Sequence, residues 1–142
     1  MKNKGIFVLQ KHHATHLHYD FRLEFNGVLK SWALPKGLSR STKDRRLGIE
    51  TMDHPLEYAT FEGKIPKGQY GAGKVKLWDK GEYMNIRCGK EGKLVSLAQC
   101  FKEGHLEIWI QGSRFQGGYA LIRLKEAQWL FIKMDDKKLL EK

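Results

Sequence analysis

The sequence predicts a mainly β protein, a compact antiparallel β-barrel with one or two short helices. Three observations carry this. From His16 to Glu24 the residues alternate strictly between polar and apolar, the period of a strand with one buried face. Asn26-Gly27 then separates two such stretches, and that dipeptide suits a two-residue type I′ hairpin because both central residues need φ > 0. Late in the chain, His105 to Gln111, Gly118 to Leu124 and Gln128 to Met134 read as three further strands joined by short turns. Some nine short strands and little helix imply a sheet that closes or nearly closes, which removes sticky edges.

Taken in order, Met1 to Lys4 reads as a flexible lead-in and Ile6 to Gln10 as a short buried strand. The alternating strand follows, and a two-residue turn at Asn26-Gly27 sets its register. Phe25 faces Val28, Leu23 faces Lys30 and Phe21 faces Trp32 on the core side. On the other side Glu24 faces Leu29, Arg22 faces Ser31 and Asp20 faces Ala33. The small partners leave room for a ligand, and Lys30 on the apolar side belongs at the end of the sheet. Pro35 ends the second hairpin strand, since proline cannot continue a central ladder. Leu38 to Arg46 is a basic, hydroxyl-rich loop, either a solvated connection or a contact for phosphates. Leu47 to Thr51 is another strand, after which Asp53 could cap a helical turn with Pro55 in its first turn and His54 and Tyr58 on one face.

Phe61 to Val75 carries Gly63, Gly68, Gly71 and Gly73. Gly68 to Lys74 fits the spacing of a phosphate-binding P-loop, but Val75 replaces the Ser or Thr that would bind Mg²⁺. Val75 to Trp78 alternates like a strand where a P-loop must open a helix. The stretch therefore reads as a tight glycine-dependent loop near the site. Val95 to Lys102, stopped by Gly104, suits a short helix, His105 a strand end, and Asp135 to Lys142 a solvated tail. A single domain spanning 1–142 is expected, with no repeat or linker.

Lys and Arg number 26 against 16 Asp and Glu, a net charge of +10, which favours a polyanion such as nucleic acid. No basic amphipathic helix points to a lipid surface. Cys88 and Cys100 lack metal or disulfide spacing and read as reduced thiols. No apolar run approaches the roughly 18 residues of a membrane span, and a monomer in the cytoplasm is expected.

The chemistry concentrates in Gln10 to Glu24, where four of the six histidines fall between residues 12 and 18. On a strand, His18 and Asp20 point the same way about 6.6 Å apart, so they can converge on one ion with Arg22 one step further along. His12, in an irregular lead-in, could fold back as a third ligand. Two imidazoles and a carboxylate suit Mn, Zn, Co or Fe(II), with positions open for water and substrate.

Four stretches in order, Q-K-H-H-A-T-H-L-H-Y-D-F-R-L-E, G-V-L-K-S-W-A-L-P-K-G, D-H-P-L-E-Y and F-E-G-K-I-P-K-G-Q-Y-G-A-G-K-V, closely resemble the 3′-phosphoesterase domain of bacterial DNA ligase D and its free-standing archaeal and bacterial relatives. The likeness runs from Phe7 to Asp79 and continues weakly from Gly118 to Lys133. It implies an enzyme of non-homologous end joining that removes a 3′-terminal ribonucleoside and then hydrolyses the remaining 3′-phosphate, with Mn²⁺ as the metal and Zn²⁺ or Co²⁺ as substitutes. Position by position, it implies His12, His18 and Asp20 as metal ligands, Arg22, His54 and Tyr58 around the scissile phosphate, Lys36 and Arg46 as further substrate-binding bases, and Gln10 as a supporting polar group. Implied partners are DNA or RNA-tailed DNA 3′ ends and a separate ATP-dependent ligase, polymerase and Ku. Met52 stands where members often carry an acid, His16 where Arg is common, and longer members have an N-terminal extension before the first strand. These departures bear on the ribonucleoside-removing step and not on the phosphomonoesterase step.

Two other readings stand beside this one. A non-catalytic basic barrel would bind single strands on Trp32, Tyr70, Trp78 and Trp109. A structural zinc site would make folding depend on the metal.

Overall fold

A computed structural model describes residues 3–140. Nine strands form it: β1 (Lys4–His13), β2 (Leu17–Phe25), β3 (Val28–Leu34), β4 (Arg45–Pro55), β5 (Gly63–Ile65), β6 (Gly73–Asn85), β7 (His105–Gly112), β8 (Gln116–Lys125) and β9 (Gln128–Lys133). Two short helices join them, α1 (Leu97–Glu103) and α2 (Asp136–Leu140), with 3₁₀ turns at Leu56–Thr60 and Lys90–Gly92. Every pairing between strands is antiparallel, in the order β1-β2-β3-β4-β9-β8-β7-β6, and β6 returns to β1. Eight strands thus close a barrel, and β5 pairs with Gly73 to Val75 of β6, along a stretch that β7 does not reach.

The β2–β3 register is the predicted one, with Phe21 opposite Trp32, Arg22 opposite Ser31 and Asp20 opposite Ala33. Asn26 and Gly27 adopt φ of 51° and 80°, the left-handed pair that a type I′ turn requires. Alternation sends Phe7, Leu9, Phe21, Leu23, Trp32 and Leu34 into the barrel, where all are at most 1% exposed. Phe21 meets Phe131 edge-on at 5.3 Å, and Trp32 meets Trp129 at 5.3 Å, arrangements that match ring edge to ring face. α1 plugs one end. Ser96 caps it by accepting from Gln99 N, Gly104 ends it in the left-handed conformation, and Phe101 packs on Phe25 and Trp32. Leu38 enters the core from the other end, where Tyr119 Oη donates to the Ser39 carbonyl.

Several local expectations change. Lys4 is already in β1, paired with Met84, while Met1 and Lys2 lie outside the described residues. β1 runs to His13, so His12 sits on the ladder opposite His18 and has no need to fold back. β4 continues to Pro55, so Asp53 caps nothing and instead pairs with Lys30 at 3.0 Å. Where the β3–β4 register shifts, Met52 and Asp53 together stand opposite Lys30, so the extra residue lies in β4. β6 runs on to Asn85 through Gly81, whose missing Cβ would lie 1.9 Å from the Gln111 carbonyl oxygen. Of the expected tail, Asp136–Leu140 is helical, with Asp136 accepting from Gly118 N and Lys133 Nζ, and 141–142 lie outside the described residues. Both cysteines are free, and no helix is long and apolar enough to cross a membrane.

Candidate active site

The face of β1, β2 and β3 that points away from the core begins apolar and becomes polar. Val8 and Leu29 pack under Ala59, Leu56 and Tyr58; further along stand Gln10, His12, Asp20, Arg22 and Ser31, all buried. They are buried although they lie outside the barrel because residues 56 to 72 fold back over them. Between the two layers is a cavity of about 850 Å³ whose lining includes His12, His18, Asp20, Arg22, His54 and Tyr58.

The rungs His12–His18 and Gln10–Asp20 bring three candidate ligands together, two imidazoles and a carboxylate. One donor atom from each of His12, His18 and Asp20 lies within 4.8 Å of the others. His12 Nδ1 is 3.2 Å from Asp20 Oδ2, and His18 Nε2 is 3.2 Å from Asp20 Oδ1. Each imidazole has its other nitrogen at a backbone carbonyl, His12 Nε2 at Gly71 O (2.7 Å) and His18 Nδ1 at His16 O (3.1 Å). A carbonyl can only accept, so those nitrogens carry the protons, and the lone pairs of His12 Nδ1 and His18 Nε2 aim at the carboxylate. Three lone-pair donors facing one point need a proton or a cation between them, and this donor set fits a divalent transition ion.

Burial alone would raise the Asp20 pKa, but hydrogen bonds from His12 and His18 and the charge of Arg22 outweigh it and hold the carboxyl far below the usual range. His18 is correspondingly raised, chiefly by its hydrogen bond to Asp20.

Arg22 is 3% exposed and held on three sides. Its Nε donates to Gln10 Oε1 (2.7 Å), Nη2 lies 3.3 Å from Asp20 Oδ2, and Nη1 is 3.1 Å from His54 Nδ1. Gln10, fully buried, spends its amide protons on the carbonyls of Tyr58 and Phe61, and so ties the guanidinium to the overlying layer. His54 ends β4 and Tyr58 sits in the 3₁₀ turn, so they do not share one helical face; the chain bend between them still brings their rings within 4.8 Å. Burial, then Arg22, depresses the His54 pKa and keeps the imidazole neutral. Its Nδ1 is also 2.9 Å from the Met52 carbonyl. Nδ1 can serve only one neighbour at a time, accepting from Arg22 or donating to Met52.

Lys36 and Arg46 do not line the cavity. Arg46 donates to the Lys36 carbonyl and faces Asp44 at 3.5 Å. Met52 and His16 are exposed, and His16 contributes only its carbonyl. Tyr70, 68% exposed, and Lys64 line the cavity from the covering layer; Lys64 went unrecognised because nothing local distinguishes it from the other lysines. Of the supposed stacking platforms, Trp32 is core and Trp78 is already covered by Arg114.

A family model described as "DNA Ligase D 3'-phosphoesterase domain" matches residues 10–123. Among curated proteins, the "Multifunctional non-homologous end joining DNA repair protein LigD" of Mycobacterium tuberculosis is 47% identical over 132 residues, 93% of this chain and 16% of that protein. The "Multifunctional non-homologous end joining protein LigD" of Mycolicibacterium smegmatis is 43% identical over 136 residues, 96% of this chain and 18% of that protein. Its namesake in Pseudomonas aeruginosa is 43% identical over 134 residues, 92% and 15% respectively. The chain thus spans less than a fifth of the length of these relatives.

Proposed function

The chain belongs to the DNA ligase D 3′-phosphoesterase domain family, and from that membership we propose that it is a metal-dependent hydrolase of DNA 3′ ends acting in non-homologous end joining. The reading has it release 3′-terminal phosphate and remove a terminal ribonucleoside. The observation that carries it is the convergence of His12, His18 and Asp20 beside Arg22, His54 and Tyr58 in one cavity.

His12 Nδ1, His18 Nε2 and Asp20 would hold the ion, which we assign as Mn²⁺, with Zn²⁺ or Co²⁺ able to substitute. When bound there, such an ion supplies a Lewis acid and lowers the pKa of a bound water toward neutrality. Arg22 places a permanent positive charge in the cavity wall and, already oriented by Gln10, orders a phosphate without reorganising. His54 is neutral; while its Nδ1 accepts from Arg22, its Nε2 carries the proton and can donate to a phosphate or leaving oxygen. Tyr58, whose hydroxyl burial keeps protonated, donates beside it. Lys36 and Arg46, outside the cavity, are assigned to the strand beyond the terminal phosphate. The ATP-dependent ligase, polymerase and Ku of end joining are the proposed partners, and the cytoplasm is the proposed compartment.

The test is to incubate the protein with Mn²⁺ and 5′-labelled primer-templates ending in a 3′-phosphate or a ribonucleotide, and to separate the products on a gel. Phosphate release by the wild type, abolished in His18→Ala and Asp20→Ala with circular dichroism unchanged, is expected. Full activity in both variants would end the assignment. A pure single-strand binder would instead bind equally with and without EDTA and form no product.

A further inference from the structure

One end of the barrel carries cations that have no counter-charge among the described residues. Arg114, in the β7–β8 turn, is exposed, and its guanidinium carbon lies 3.6 Å from the Trp78 ring centroid while Nε donates to the Trp78 carbonyl at 2.7 Å. Lys11 Nζ approaches the same ring at 4.8 Å and Tyr19 at 6.0 Å. Arg40 lies 4.2 Å over Phe115 and donates through Nε and Nη2 to the Arg114 carbonyl. Lys76 faces Lys11 across the β1–β6 ladder.

Among the described residues none of these four cations has a carboxylate within ion-pair reach, whereas Lys30, Arg46, Arg87 and Lys133 each do. The neighbouring acid, Asp79, does not serve them. It is 5% exposed and accepts from the backbone N–H groups of Lys80, Ser113, Arg114 and Phe115. Its role is to brace the turn that presents Arg114. Trp78 is the extra residue at the β1–β6 bulge, a device that re-aims a side chain.

Clustered like charges repel, and an exposed cation–π contact offsets little of that. Guanidiniums held in place by carbonyls, with N–H groups left over and no acid between them, are complementary to a row of phosphates. Arg114 covers the Trp78 face, so the patch suits backbone rather than bases. The Lys11–Tyr19 rung adjoins the His12–His18 rung, with side chains on the opposite face of the sheet. A strand leaving the cavity past the turn at 14–16 would meet it.

We infer that Lys11, Arg40, Lys76 and Arg114 form a phosphate-backbone track holding the polynucleotide a few nucleotides from the 3′ end in the cavity. The inference rests on the cavity accepting such an end. The track is sequence-independent and salt-sensitive.

The test measures anisotropy of a labelled single strand of roughly twelve nucleotides, within the span that such grooves follow, on the whole protein in EDTA across a salt series. The double variant Lys11→Gln/Arg114→Gln is expected to bind more weakly, with the slope of log K against log salt smaller by about 1.4, or about 0.7 per cation. With Mn²⁺, KM for the long 3′-phosphorylated strand should rise, while kcat and turnover of a 3′-phosphorylated dinucleotide stay at wild-type values. Lys11→Gln/Lys76→Gln, which removes no backbone hydrogen bond, should behave alike and covers the case in which loss of Arg114 unfolds the turn. Wild-type affinity and slope in folded variants would overturn the track, as would equal losses on long and short substrates. Absence of phosphate release by the wild type, with the salt slope still reduced in the variants, would sink the enzymatic reading and leave the surface standing.

Discussion

Three side chains, His12, His18 and Arg22, approach Asp20 at once, and its charge reaches the protonation of His18. Without a bound cation, Asp20 raises the His18 pKa, so the folded chain holds that proton more tightly than the unfolded one. This contributes fully below the unfolded value of 6.5 and fades as pH rises through the folded value. The Asp20 pKa is depressed, so its contribution is complete above 3.8 and lost as pH falls through the folded value. The pair therefore stabilises most between those limits. His54 has the opposite sign, its contribution fading as pH falls below 6.5. In EDTA, the melting-temperature gap between wild type and His18→Ala should be wider near about pH 5.5 than near about pH 8.5; equal gaps would show that His18 and Asp20 do not share a proton. At this scale the sequence was informative where chemistry followed the strand period. His18, Asp20 and Arg22 alternate and could be read directly. The Gly71 carbonyl on His12 and the four N–H groups on Asp79 could not, because backbone partners many residues away leave no mark in local composition.

At the scale of elements, the Asn26-Gly27 turn shows how far a two-residue signal reaches, since from it the whole β2–β3 register followed. Strand lengths were less legible. β4 and β6 run past their apolar cores through Asp53 and Gly81 because neighbouring strands, and not their own side chains, complete the ladders. The glycine-rich 66–73 loop is legible as a loop but not as a ligand holder. Gly71 sits at φ 74° with its carbonyl on His12 Nε2. Gly71→Ala must therefore strain or move that carbonyl, at a cost of roughly 1–2 kcal/mol. Mn²⁺ affinity, read by titration of the free-ion electron paramagnetic resonance signal, should fall about 10–100-fold, as when a partner behind a metal-bound histidine is lost. Unchanged affinity would mean that the loop leaves His12 alone.

For the whole molecule, the aromatic core fills the barrel while the candidate ligands stand on its outer wall. The two share strands but not side chains. Chelation should therefore lower the unfolding free energy only by the linkage term, about 2.7 kcal/mol at a hundredfold excess of ion over its dissociation constant, and leave one cooperative transition at a reduced melting temperature. Loss of the transition on adding EDTA would indicate a structural zinc site. Fold class and the location of the site were both legible in the alternation. Closure was legible as well, from many short strands and little helix, but the seam that completes it was not, because β1 and β6 are segments that no turn connects.

The shared strands impose a parity rule. Along β2, odd positions fill the interior and even ones carry Asp20 and Arg22, so inserting or deleting a single residue there would turn the guanidinium inward and a phenyl ring outward together. A single-residue change in β1 or β2 would have to be absorbed as a bulge, as Trp78 is in β6. A chain that has paired these strands out of phase thus loses its core and its candidate site in one stroke.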